Sequence, residues 1–191
     1  MVEIRNKYVL KDKDETALLP TVEQMTVDLE WTSEVDLDLM AFWETNTSKT
    51  GGIFTMNLGG SHGNLNKFPF MVLSGDEGVG ATGGENKETI QIGKLDPSIT
   101  KLRIVALNYT DAKAGNATAS FKHYNGKVTV VYNEKRESYE VPLESPDPGT
   151  AALIATIDNS GPVAKLKRED KVFPFGESFI QAVPGAIELT K

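Results

Sequence analysis

Short segments of alternating or β-branched residues, cut apart by glycine, proline and Asn/Asp turn signals, most restrict what this chain can fold into. Residues 26–31 place Val27, Leu29 and Trp31 on one face and Asp28 and Glu30 on the other, the pattern of a half-buried strand. Residues 35–43 turn apolar on both faces in their second half, which suits a central strand. Residues 52–56, 68–73, 88–92 and 101–109 carry further strand signals. Asn125-Gly126 favours the positive φ angles of a tight hairpin turn and predicts a hairpin of 119–124 with 127–132. Strands at 138–143, 151–157 and 164–173 follow. No long stretch repeats every 3.6 residues, and residues 178–183 read as a short helix or equally as a strand. The fold class expected is all-β: an antiparallel β-sandwich of about ten strands with little helix, an open barrel being the alternative.

A length of 191 residues supports one domain with a sizeable core. Residues 1–21, with the charge run Lys11-Asp12-Lys13-Asp14-Glu15, read as a loosely structured leader or edge strand, and residues 22–191 as the sandwich domain. Lys and Arg number 20 against 27 Asp and Glu, a net charge of -7. That balance argues against a nucleic-acid-binding surface and leaves carboxylates available for cations. The absence of cysteine removes disulfides, thiolate metal sites and cysteine nucleophiles together. With two histidines, His62 and His123, a multi-histidine metal centre is excluded as well. No apolar run approaches the ~20 residues of a membrane span, and the charged N-terminus lacks the apolar middle of a signal peptide. The expected compartment is the cytoplasm.

Two acidic constellations stand out. Glu34, Asp36 and Asp38 are spaced i, i+2, i+4, which on a strand puts all three on one face. Met40 and Phe42 continue that parity, so the acidic face runs into the core. Carboxylates there need a counter-charge, and a divalent cation is one source. A solvated strand edge, or pairing with Lys or Arg, is the commoner meaning of the bare pattern. The second constellation is residues 74–88, with five glycines and four acids, the last of them Glu88. Glycine lets carbonyls turn inward, and Asp, Glu and Asn supply side-chain oxygens, as an irregular calcium loop requires. A flexible surface hairpin fits the same residues. Neither an EF-hand ladder nor a phosphate-binding P-loop occurs.

The order of these segments resembles the tellurite-resistance, TerD-like family. Val27-Asp28-Leu29-Glu30-Trp31 followed by Glu34-Val35-Asp36-Leu37-Asp38-Leu39-Met40-Ala41-Phe42 is similar to that family's tryptophan-containing strand and its D-F-D-L-D-x-x-A-F motif, with Glu34 at the first Asp. Ser74-Gly75-Asp76, the glycine-rich loop and Glu88-Thr89-Ile90-Gln91-Ile92 form a second match, and residues 95–106 a third. Lys171-Val172-Phe173-Pro174-Phe175 is a weaker fourth. The resemblance implies a non-enzymatic, calcium-binding β-sandwich linked to stress response. It further implies partners among other stress-response or membrane-associated proteins. Carried over by position, the implied Ca2+ ligands are Glu34, Asp36, Asp38, Asp76, Glu77, Glu85, Asn86 and Glu88. The family's G-D-G-D-D-E is here Gly83-Gly84-Glu85-Asn86-Lys87-Glu88, so two aspartates give way to Gly84 and Asn86 and a third to a lysine, Lys87, in the ligand run. A second calcium site is expected to be weakened by that change.

Enzyme chemistry has little support. The nucleophile elbow G-x-S-x-G is absent, and nothing fixes the separation of acid pairs such as Glu77 and Glu85 for glycoside hydrolysis. His62 reads as an exposed loop residue, with ligand contact as the alternative, and His123 as an exposed strand residue. Trp31, Trp43, Phe68, Phe70, Phe173 and Phe175 read as core or strand-end packing. The competing function class is a metal-independent structural or adhesive β-sandwich module. The sequence leaves the oligomeric state open.

Overall fold

The computed structural model describes residues 4, 6–74, 86–132 and 136–191. The chain is mostly β, in two sheets. The first sheet contains β1 (Asn6–Val9), β3 (Glu23–Trp31), β6 (Gly63–Asn64), β7 (Met71–Leu73), β8 (Asn86–Lys94), β10 (Gly126–Tyr132) and β11 (Glu137–Leu143), in the order β1-β11-β10-β3-β8-β7-β6. The second contains β2 (Thr16–Leu18), β4 (Leu37–Thr45), β5 (Thr50–Ile53), β9 (Ile99–Asn108), β12 (Ala151–Asp158) and β13 (Lys165–Phe173), in the order β2-β13-β12-β9-β4-β5. The pairings are antiparallel except for β1, which runs parallel to β11. Tyr8 lies opposite Tyr139 in that register, and their rings stack at 5.1 Å.

Alternation explains the core. One apolar cluster draws Met25, Val27, Leu29 and Trp31 from β3, Ile90 and Ile92 from β8 and Val128 and Val130 from β10. It also takes Leu37, Leu39 and Ala41 from β4 and Leu102, Ile104 and Ala106 from β9. The other parity of the second sheet is apolar too: Met40, Phe42, Val105, Leu107 and Leu153 form a second cluster. Two C-terminal pieces cover it, α2 (Glu177–Ala182) and a 3-10 stretch Pro184–Thr190, through Phe179, Val183 and Ala186. β4 and β9 thus bury both faces, which is why residues 35–43 read as apolar throughout their second half.

Several local expectations change. Residues 119–124 form no strand; Phe121–His123 is a 3-10 turn with Phe121 buried. The turn is held by Ser120 Oγ donating to the Ser145 carbonyl (3.1 Å) and by Thr32 N–H donating to the Tyr124 carbonyl (3.0 Å). β10 therefore pairs with β3 and β11 rather than with the segment before Asn125. The strand expected to end at Tyr109 ends at Asn108, and α1 (Tyr109–Ala114) begins there. Asn108 caps that helix by accepting from Asp111 N–H (3.0 Å), and Gly115 closes it at φ +68°. Phe68 and Phe175 are not core, at 45% and 43% exposed, but each packs on a ring, Trp43 at 5.5 Å and Phe179 at 6.1 Å.

Gly63 fixes the far edge of the first sheet. It adopts φ +86°, and a Cβ there would collide with the Met71 main-chain oxygen on the paired strand. Gly63→Ala is expected to cost about 2 kcal/mol by combining left-handed strain with that clash, read by denaturant unfolding.

Candidate functional site

The first acidic constellation sits where the chain enters β4. That strand starts at Leu37, so Glu34 and Asp36 precede it and the expected three-acid strand face does not form. A bend replaces it because its carbonyls are already taken. The Trp31 indole Nε1–H donates to the Val35 carbonyl (2.9 Å), and the Asn86 amide donates to the Ser33 carbonyl (2.9 Å). Asp36 is pinned on both sides of its main chain: its N–H donates to Thr110 Oγ1 (2.9 Å), and its carbonyl accepts from Tyr109 N–H (2.9 Å). The start of α1 thereby sets the position of Asp36.

Glu34 is exposed, Asp36 half-buried and Asp38 buried at 3% exposure. Asp38 shares the parity of Met40 and Phe42, so it points to the second apolar cluster, as the sequence parity requires. Asp36 and Asp38 line one cleft of about 100 Å³ together with Thr55, Asn57, Leu58 and Tyr109. Thr55 belongs there because it caps the 3-10 turn Met56–Leu58, accepting from Asn57 N–H (3.3 Å). No metal-ligand pattern in the sequence marks Thr55, Asn57 or Tyr109. The one available signal was the cap pattern of Thr55 followed by Gly59, which closes the turn at φ +79°.

The second constellation is only partly described. Asp76, Glu77 and Glu85 lie outside the described residues. Asn86 and Glu88 open β8, and both are buried. Strand alternation separates them from Lys87, whose ammonium lies on the opposite face, 2.9 Å from Asp28 Oδ2. The lysine that enters the ligand run in the sequence is thus not among those side chains in space. Glu88 faces inward from the first sheet, and its Oε2 accepts the Leu39 N–H of β4 (2.6 Å). Among the described residues, β5 pairs only with Ala41–Glu44 on that side of β4, and Glu88 serves the edge beyond. Asp36, Asp38 and Glu88 therefore belong to one short stretch of chain around Leu37–Leu39, Asp38 and Glu88 meeting it from different faces. Glu34 does not line the Asp36–Asp38 cleft. His62 and His123 do not line it either, and His123 is exposed within its 3-10 turn.

The polar side chains around this cleft can offer oxygens from two carboxylates, two hydroxyls and one amide, beside the apolar Leu58. That set fits a hard cation such as Ca2+ or Mg2+ and no soft metal. Among the described residues no three Asp, Glu or His side chains form a metal-holding group. Calcium's 6 to 8 oxygen ligands would therefore include carbonyls, water or acids beyond those described.

A carboxylate network anchors the helix beside the cleft. Asp111 Oδ2 accepts from Asn108 Nδ2 (2.7 Å) and from the Tyr124 hydroxyl (3.0 Å), and Oδ1 accepts from Asn116 Nδ2 (2.9 Å). Burial pushes the Asp111 carboxyl up, and the three hydrogen bonds more than reverse it, holding it below the ordinary 3.8. Burial and the Asp111 carboxylate together push the Tyr124 hydroxyl up to about 12. On β13, burial likewise raises the Glu169 carboxyl, and Thr156, Lys171 and Lys167 bring it below 4.5. Both depressed carboxyls stabilise the fold fully above their unfolded values, and the contribution is lost as pH falls through the lower folded values. Melts from pH 6 to pH 2.5 should show a steep acid limb below about pH 4, shallower in Asp111→Asn. No protein-family model matches the chain, and no curated protein does either.

Proposed function

We propose that this chain is a non-enzymatic, calcium-binding β-sandwich protein of the tellurite-resistance, TerD-like kind. The cation would sit at the entry to β4, held by Asp36 and Asp38 and joined by acids of the 74–88 segment. Its chemistry there is charge neutralisation: two carboxylates at the margin of an apolar cluster are stabilised by a bound divalent ion. Asp36 and Asp38 orient on a rigid base, since main-chain bonds to Tyr109 and Thr110 fix the first and strand pairing with β9 fixes the second. Glu88 holds the β4 edge beside them. An ion-ordered surface of this kind suits recognition of a protein partner, and the reading includes no turnover.

The observation that carries the proposal is the convergence of Asp36 and Asp38 on one cleft. The facing of Lys87 away from Asn86 and Glu88 also supports it, because no ammonium from that strand opposes a cation. The test is Asp36→Asn combined with Asp38→Asn. Removing two ligand charges should weaken calcium binding about a hundredfold or more, measured by calorimetry on chelator-stripped protein. Unchanged affinity would sink the proposal and leave the metal-independent structural module.

A further inference from the structure

A second cavity lies beside α1. Its volume is about 470 Å³, within the range of small-ligand sites. Gly149 and Thr150 are buried within it, and Ala117, Pro148, Pro174 and Phe175 are exposed around it. Apart from Asp111, its side chains are apolar or neutral, and it has no Lys, Arg or His in its wall. Asp111 is thus the one charged group of the cavity, and its three side-chain donors, Asn108, Asn116 and Tyr124, are all neutral. No described cation forms an ion pair with it. The lysine of α1, Lys113, has its ammonium 5.8 Å from the Tyr109 ring instead. A carboxylate offers about four acceptor positions, and three are used, leaving one on Oδ1.

We propose that this cavity binds a small organic ammonium ion with an apolar body. Charge complementarity selects the class. A hydrogen-bonded carboxylate without a counter-ion attracts a cation, and a wall of Ala112, Ala117, Pro148 and Pro174 disfavours a strongly hydrated metal ion. Phe175, 43% exposed and packed on Phe179 at 6.1 Å, offers an aromatic surface of the kind that recognises ammonium groups. Gly115 leaves open space where a side chain would project, so the cavity is accessible beside Asp111.

The test compares 2-phenylethylammonium with neutral 2-phenylethanol, two ligands of nearly equal shape. Binding is followed by amide shifts of Ala112, Gly115 and Gly149, with chelator present so that a divalent ion plays no part. The ammonium should bind about tenfold or more tightly than the alcohol, a preference that Asp111→Asn removes. Phe175→Leu should weaken the ammonium about two- to fivefold. Because the Asp111 carboxylate also holds Asn108, the cap of α1, Ala117→Trp provides a block that leaves the carboxylate network in place, and it should abolish binding. Equal affinity for the two ligands, no shift with the ammonium at millimolar concentration, or undiminished binding by Ala117→Trp would each overturn the proposal.

Discussion

Arg168→Met is expected to destabilise the fold by about 3 kcal/mol, lowering the melting temperature by about 6–12 °C. Arg168 is 3% exposed on β13, and its Nη1 donates to the carbonyls of Leu10 (3.1 Å) and Lys11. Those carbonyls lie where the chain passes from β1, at the edge of one sheet, to β2, at the edge of the other. Main-chain bonds finish the attachment: Asp14 N–H to the Arg168 carbonyl and Arg168 N–H to the Glu15 carbonyl, both 2.9 Å. Methionine would keep the apolar stem and leave both carbonyls without their donor. Asp170, 3.5 Å from the guanidinium, would lose its partner too. Hydrogen exchange should localise the loss, with amides of β1, β2 and Leu10 exchanging faster while those of β9 and β12 keep their order. Protection unchanged at residues 6–18 would show that Leu10 and Leu19, each 2% exposed, hold this segment without the guanidinium.

Glu88→Ala should cost about 3–4 kcal/mol, the other large effect. The carboxylate is 2% exposed and accepts the Leu39 N–H at 2.6 Å. Truncation leaves that N–H buried without this acceptor and opens a void between β8 and β4. Glu88→Gln keeps an acceptor of similar shape, so it should recover at least half of the loss. The pair separates two roles. If hydrogen bonding dominates, Gln restores the melt, and any calcium deficit left in Gln reports the charge. Equal destabilisation by Ala and Gln would mean that the charge itself, not the hydrogen bond to β4, is what the fold requires there.

The strands were legible where alternation met a clear turn. β3 and β8 follow their alternation because one face of each meets a shared core, whereas β12 is apolar throughout because it meets both clusters. The helix α1 was hidden because six residues are too few for a 3.6 period, although Asn108, Asp111 and Gly115 spell its caps. The turn at Phe121 looks like strand in the sequence because a buried aromatic run is alike in both, and only the bonds from Ser120 and Thr32 decide. At the candidate site, the parity of Asp38 with Met40 was readable, whereas the bend at Glu34 depends on Trp31 and on Asn86, 53 residues from its partner Ser33. Lys87 shows the converse: adjacent letters suggest one cluster, and a period of two sends them to opposite faces. Thr55, Asn57 and Tyr109 reach the cleft only through folding of distant segments, which no local pattern announces.

Calcium titration of the chelator-stripped chain, by calorimetry with a thermal melt at each end point, tests the central claim most directly. The account predicts saturable binding and, at about a hundred times the dissociation constant, stabilisation of about 2.7 kcal/mol, a rise of about 5–11 °C. No heat and an unchanged melting temperature would contradict it, and Asp36 and Asp38 would then be polar groups of a metal-independent fold.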